Sequence, residues 1–183
     1  MKKRPHSTTP GPLHFVTVAT NKKIPLFHSR KLCREFFAAL TEIKTRFPFE
    51  LYAYVLLPDH FHLLLRPGNG NISRLLQKIK SLAARRIVER LKAMGSHKTL
   101  TSLKKATPGR REHRHQVFQQ SFRDLLLESP WMVKQKIDYI HKNPINERLT
   151  ENVADYPWSS WEAIYERSGE PIPVDPLPVS LHH

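Results

Sequence analysis

At 183 residues, 39% of them hydrophobic, the chain fits one domain with an unstapled core, and its single cysteine, Cys33, excludes a disulfide framework and suits a reducing compartment. No apolar run approaches the ~20 residues of a membrane span, and none follows the basic start MKKRPHSTTPGP, which excludes a signal peptide and leaves a soluble, cytoplasmic protein with no membrane partner as the expectation. The formal charge of +14 is concentrated: between Asn71 and His115 thirteen lysines and arginines stand against two glutamates, leaving +11 there, the one-sided stretch that a polyphosphate partner calls for.

Residues 1–11 read as a disordered basic arm. LHFVTVAT (Leu13 to Thr20) alternates and is rich in β-branched residues, which predicts a strand. Asn21 to His28 is a loop. Ser29 caps a helix to about Arg46, with Leu32, Phe36, Ala39, Leu40 and Ile43 on its apolar face. FELYAYVLL (Phe49 to Leu57) and His60 to Arg66 are two more strands, bent apart at Pro58-Asp59. After the turn PGNGN, the spacing of Ile72, Leu75, Leu76, Ile79, Leu82, Ala83 and Ile87 predicts a helix to about Ala93, with much of the basic cluster on its opposite face. Residues 94–116 lack periodicity and read as a long mobile basic loop. Val117 to Phe122 is the candidate fourth strand. Ser129-Pro130 opens a helix that Asn143-Pro144 stops at about Lys142. A short helix near 158–167 and a Pro-rich extended tail (168–183) close the chain. The order is β-α-β-β-α-β: an α+β, ferredoxin-like antiparallel sheet with helices on one face, plus a C-terminal helix. The domain proper spans 12–167.

Two motifs carry chemistry. In PDHFHLLLRP, strand geometry points His60, His62 and Leu64 one way and Phe61, Leu63 and Leu65 the other, with the histidine Cα atoms ~6.5 Å apart. That spacing lets two imidazoles converge on one cation with bonds of about 2.0–2.2 Å; the alternative is two solvent-facing histidines. His113 and His115 share the spacing but sit in the loop. In KIDYIHKNPI, Val133, Ile137 and Ile140 form the apolar stripe, Tyr139 lies roughly 125° from its centre, and Asn143 follows only ~40° around from Tyr139. The alternative is a half-buried interfacial tyrosine and an Asn C-cap. A phenol has a pKa of about 10 and needs help to attack a phosphodiester near neutral pH; a metal that polarises the phosphate supplies it.

The His-hydrophobic-His strand, the basic helix, VFQQSFRD (117–124), DYIHKNP (138–144) and DYPWSS (155–160) together resemble the single-tyrosine HUH transposases, most closely the REP-associated tyrosine transposases, over roughly Leu13 to Trp161. The resemblance implies that His60 and His62 bind a divalent metal, Mg²⁺ or Mn²⁺, and that Asn143 stands where relatives carry a third polar ligand. It implies Tyr139 as the nucleophile that forms a 5′-phosphotyrosine, and single-stranded DNA with a hairpin as the partner of a monomer or homodimer. Phe118 before Gln119, where relatives often carry Trp, and the long basic insertion depart from the family pattern. Arg74, Lys78, Arg85 and Arg86 are the residues expected to contact phosphates. Tyr52 and Tyr54 are the alternative nucleophiles, and Asp59 is the carboxylate that a zinc hydrolase would need. A non-cleaving protein that binds structured DNA or RNA is the other functional reading. Core packing is the expectation for Trp131, Trp158 and Trp161, with base stacking as the alternative.

Overall fold

In LHFVTVA, Val16 and Val18 are buried on one side and Leu13 and Phe15 on the other, so the first strand, β1 (Leu13–Ala19), is covered on both faces. A computed structural model of the chain describes residues 11–68, 70–105, 114–166 and 171–177. After β1 come α1 (Arg30–Arg46), β2 (Phe49–Leu56), β3 (His60–Pro67), α2 (Ile72–Ala93), α3 (His97–Ser102), β4 (Lys104–Lys105), β5 (Arg114–His115), β6 (Arg123–Leu127), α4 (Pro130–Asn146) and α5 (Trp161–Tyr165). The main sheet is ordered β2-β3-β1-β6, and each neighbouring pair is antiparallel. β1 and β2 are therefore parallel with β3 between them, a split βαβ unit.

The expected α+β class and antiparallel sheet are observed. α1 and α2 bury Leu32, Phe36, Leu40, Leu76, Ile79 and Ile87 with Val16, Val18, Phe61 and Leu63. α4 covers the opposite face, where Val133, Ile137 and Ile140 pack with Phe15, Val55 and Leu64. A bulge in β2 between Leu51 and Ala53 shifts the phase of that strand, so Tyr52 and Ala53 both join the α4 side while Leu51 and Tyr54 join the other.

Several elements differ from the sequence expectation. The fourth strand of the sheet is Arg123–Leu127, not Val117 to Phe122; Phe118 makes only an isolated bridge to Thr20. Leu125 and Leu126 are 40% and 44% exposed on this edge strand, so the alternation that marks a half-buried strand is absent. Helix α4 does not stop at Lys142 but carries Pro144 inside it and ends at Asn146. Its last turn is held by the buried side chains of Asn143 and Pro144 and by Glu147 N–H, which donates to the carbonyls of Asn143 and Ile145. The flank of the expected loop 94–116 folds as α3, anchored by the buried Leu100 and Leu103; residues 106–113 of that loop, residues 1–10 of the arm, and 167–170 and 178–183 of the tail lie outside the described residues. Tail residues 171–177 dock on the β2 edge: Asp175 N–H donates to Leu51 O, Leu51 N–H donates to the Asp175 carboxylate, and Lys44 pairs with the same carboxylate. Trp158 packs against the core and stacks on Phe37, but Trp131 is 68% exposed. No helix among the described residues is long and apolar enough to cross a membrane.

Candidate active site

β3 presents both histidines to the α4 side. The register sets Thr17 of β1 opposite His62 and Ala19 opposite His60. The two imidazole rings stand 4.9 Å apart and nearly perpendicular. Each is fixed through Nδ1. His60 Nδ1–H donates to Asp59 Oδ1 at 2.6 Å, and Thr17 Oγ1 lies 2.8 Å from His62 Nδ1. With a carboxylate accepting at Nδ1, the lone pair of His60 is on Nε2. His62 Nε2 is buried and meets no hydrogen-bond partner among the described residues. A neutral ring whose Nδ1–H faces Thr17 leaves a bare lone pair there, the donor a cation takes. His62 is 3% exposed; burial first, then the nearness of His60 and Lys136, pushes its pKa from 6.5 to about 3, so it is a neutral imidazole at physiological pH.

Phe15 supplies the floor, stacked on His62 with ring centroids 5.3 Å apart. Tyr139 of α4 meets both edge-on, at 5.4 Å from His62 and 5.8 Å from Phe15, and is 42% exposed. Its place follows from the helix: Ile137 and Ile140 are buried on the sheet, and residue 139 points off that stripe. Lys136, one turn earlier, sets its ammonium 5.1 Å from the Phe15 ring and 5.4 Å from the Tyr139 ring. These groups share a cleft of about 810 Å³ with Lys23, Gln119, Phe122, Arg123 and Asp124.

The structure thus brings His60, His62 and Tyr139 into one cleft. Asn143 lies one turn beyond Tyr139, buried, with Nδ2 lacking a partner among the described residues. Among those residues no three His, Cys, Asp or Glu side chains already form a metal cluster. Arg74, Lys78, Arg85 and Arg86 do not line the cleft, because α2 lies across the sheet from α4. Arg86 is paired with Glu42 at 2.5 Å and Glu35 at 3.8 Å, while Arg74 and Lys78 border a separate hollow with Phe47 and Pro48. Tyr52 and Tyr54 are each 1% exposed; the Tyr52 hydroxyl accepts from Arg66, and burial pushes its pKa up. Neither lines the cleft.

Thr17, Lys23, Arg123 and Lys136 escaped the sequence reading. Thr17 reaches His62 only through strand register, and Lys136 through the turn of α4. Asp59 alone had a local signal, a carboxylate adjacent to a histidine at a bend.

The chain is similar to known proteins in sequence and in fold. The family model described as "Transposase IS200 like" matches residues 9–103, a stretch that contains both histidines and ends before Tyr139. A Haemophilus influenzae protein named "Putative REP-associated tyrosine transposase" is 26% identical over 156 residues, covering 84% of this chain and 81% of the relative. The fold superposes on a solved structure of the REP-associated tyrosine transposase bound to a REP hairpin with a TM-score of 0.65 and 21% identity, over 98% of this chain and 94% of the other.

Proposed function

The chain belongs to the IS200-like transposase family, and from that premise we propose that it is a REP-associated tyrosine transposase that nicks and rejoins single-stranded DNA beside a hairpin. The observation that carries this reading is the meeting, in one open cleft, of an exposed phenol and a neutral imidazole whose Nε2 is unpartnered. The likeness to a protein named for REP association and to a structure bound to a REP hairpin supports the choice of DNA partner.

In this reading the Tyr139 hydroxyl attacks the scissile phosphorus. The phosphorus–oxygen bond to the 3′ side breaks, the phenol gives up its proton, and the leaving oxygen takes one up as a free 3′-OH. The 5′ phosphate stays on Tyr139, and attack by a 3′-OH on that ester rejoins strands with the bond energy conserved. A divalent cation, Mg²⁺ or Mn²⁺, held by His60 and His62 with the Asn143 amide as a third donor, would polarise the phosphate and neutralise its charge. Asp59 and Thr17, at the two Nδ1 atoms, would hold the imidazoles in the tautomers that turn an Nε2 lone pair to the cation. Lys136, Lys23 and Arg123 offer positive charge to phosphates along the cleft. Arg74, Lys78 and Arg85 would meet phosphates outside it. Arg86 is a structural cation.

A denaturing gel tests the reading. Labelled hairpin DNA with a single-stranded flank, incubated with Mn²⁺, should yield a covalent adduct with the wild type and none with Tyr139→Phe. Salt-sensitive binding with no adduct on any hairpin-bearing strand would instead make the chain a non-cleaving DNA-binding protein.

A further inference from the structure

We propose that Glu147 is a carboxylate ligand of the same cation, beside the two histidines and the Asn143 amide; the inference rests on the metal-site reading above. The turn of α4 beyond Pro144 puts Glu147 at the C-cap, and Arg148 then leaves the helix with φ 57. Tyr139, Asn143 and Glu147 follow at intervals of four, a slowly drifting line on one side of the helix. The helix crosses the histidine pair antiparallel to β3. Tyr139 meets His62 at 5.4 Å between rings, and two turns later Glu147 Oε1 stands 3.6 Å from His60 Nε2.

That contact is aimed at the right atom. His60 Nδ1 is already engaged by Asp59, so the carboxylate faces the nitrogen left free to bind a cation. A separation of 3.6 Å is too long for a hydrogen bond. It suits two donors on one ion: bonds of about 2.1 Å place neighbouring donors about 3.0 Å apart at a right angle and about 4.2 Å apart when opposed. The Glu147 carboxylate accepts no hydrogen bond among the described residues, and its side chain is 36% exposed and able to adjust. It stands beside His60 without yet closing on His62, in keeping with the lack of a ready three-donor cluster. Its consequence is selectivity. Two imidazoles alone favour softer ions, and an anionic oxygen shifts the set toward Mg²⁺ and Mn²⁺.

The test is Mn²⁺ binding to the full chain without DNA, followed by electron paramagnetic resonance of free Mn²⁺, for wild type, Glu147→Gln and His60→Ala, with Zn²⁺ titrated in parallel by calorimetry. Glu147→Gln should raise the Mn²⁺ Kd about ten-fold while moving the Zn²⁺ Kd less. A change in the Mn²⁺ Kd below five-fold, with the wild type binding well, overturns the role of Glu147 and leaves the histidine site standing. A wild type that binds no Mn²⁺, or binds it as well after His60→Ala, overturns the metal-site reading and this inference with it. Glutamine at an exposed C-cap keeps the shape of the side chain, and matching thermal midpoints without metal check that the variant is folded.

Discussion

Acidification should loosen the chain through His141. This imidazole lies two residues beyond Tyr139, is 4% exposed, and shares a hydrogen bond of 3.0 Å with Ser160 Oγ, which also accepts from Tyr54 N–H at 2.9 Å. The bond ties α4 to the DYPWSS segment and through it to β2, so it helps fix where Tyr139 stands. Burial pushes the His141 pKa from 6.5 down to about 4. The unfolded chain therefore takes up a proton near pH 6.5, while the folded chain resists until about pH 4. Stability is full above pH 6.5 and is lost as pH falls toward 4. At pH 5 the loss from His141 is about 2 kcal/mol, and the depressed His62 adds about as much. Against a domain stability of about 5–15 kcal/mol, roughly 4 kcal/mol is a large fraction. Guanidinium unfolding followed by tryptophan fluorescence at pH 7.5 and 5.0 reads this directly. His141→Gln keeps a polar group beside Ser160 but cannot take up the proton, so it should lose about 2 kcal/mol less than the wild type on acidification. Carboxylates and the other histidines titrate alike in both proteins and cancel. Equal losses in the two would refute the placement of a neutral, buried His141.

Other perturbations separate the roles of neighbouring groups. Thr17→Val leaves His62 Nδ1 without its partner; stability should fall by about 1–3 kcal/mol and Mn²⁺ affinity by about ten-fold, read by denaturation and metal titration. Lys136→Gln should weaken single-stranded DNA binding evenly across sequences and flatten the log–log salt slope by about 0.7, as one fewer phosphate is neutralised; an unchanged slope would remove Lys136 from the DNA path. Arg86→Met should leave that slope unchanged and lower stability by about 1 kcal/mol, because the guanidinium serves Glu42 and Glu35.

The hairpin that carries the histidines was legible because strand periodicity is local: the fates of Phe61, Leu63 and Leu65 on one side and His62 and Leu64 on the other follow from the pleat. Helices α1 and α2 were legible for the same reason at a period of 3.6. Strand β6 was not, since its exposed leucines erase the alternation and its pairing with β1 spans more than a hundred residues of sequence. The end of α4 was misread because proline restricts the residue before it, yet here packing of Asn143 and Pro144 outweighs that local preference. The basic cluster misled in another way. Charge along a sequence does not say which side of a sheet it will occupy, and α2 falls on the side away from the phenol.

The cations that do reach the cleft come from three separate elements, and one of them is placed by backbone strain. Lys22 and Lys23 both adopt left-handed backbone, with φ of 54 and 53, where a non-glycine residue costs about 1–2 kcal/mol each. The turn is held from outside: Thr20 N–H donates to Asp59 O, Asn21 N–H donates to Val117 O, and the Thr20 hydroxyl donates to Ile24 O. Those bonds join the end of β1 to the residue that orients His60 and to the segment that walls the cleft. Lys23 is thereby delivered to the same cavity as Lys136 and Arg123. The surrounding hydrogen bonds over-determine this strain, which lies at the rim of the cleft. A helix carrying far more charge can thus sit across the sheet while the exposed phenol of Tyr139 still has cations beside it.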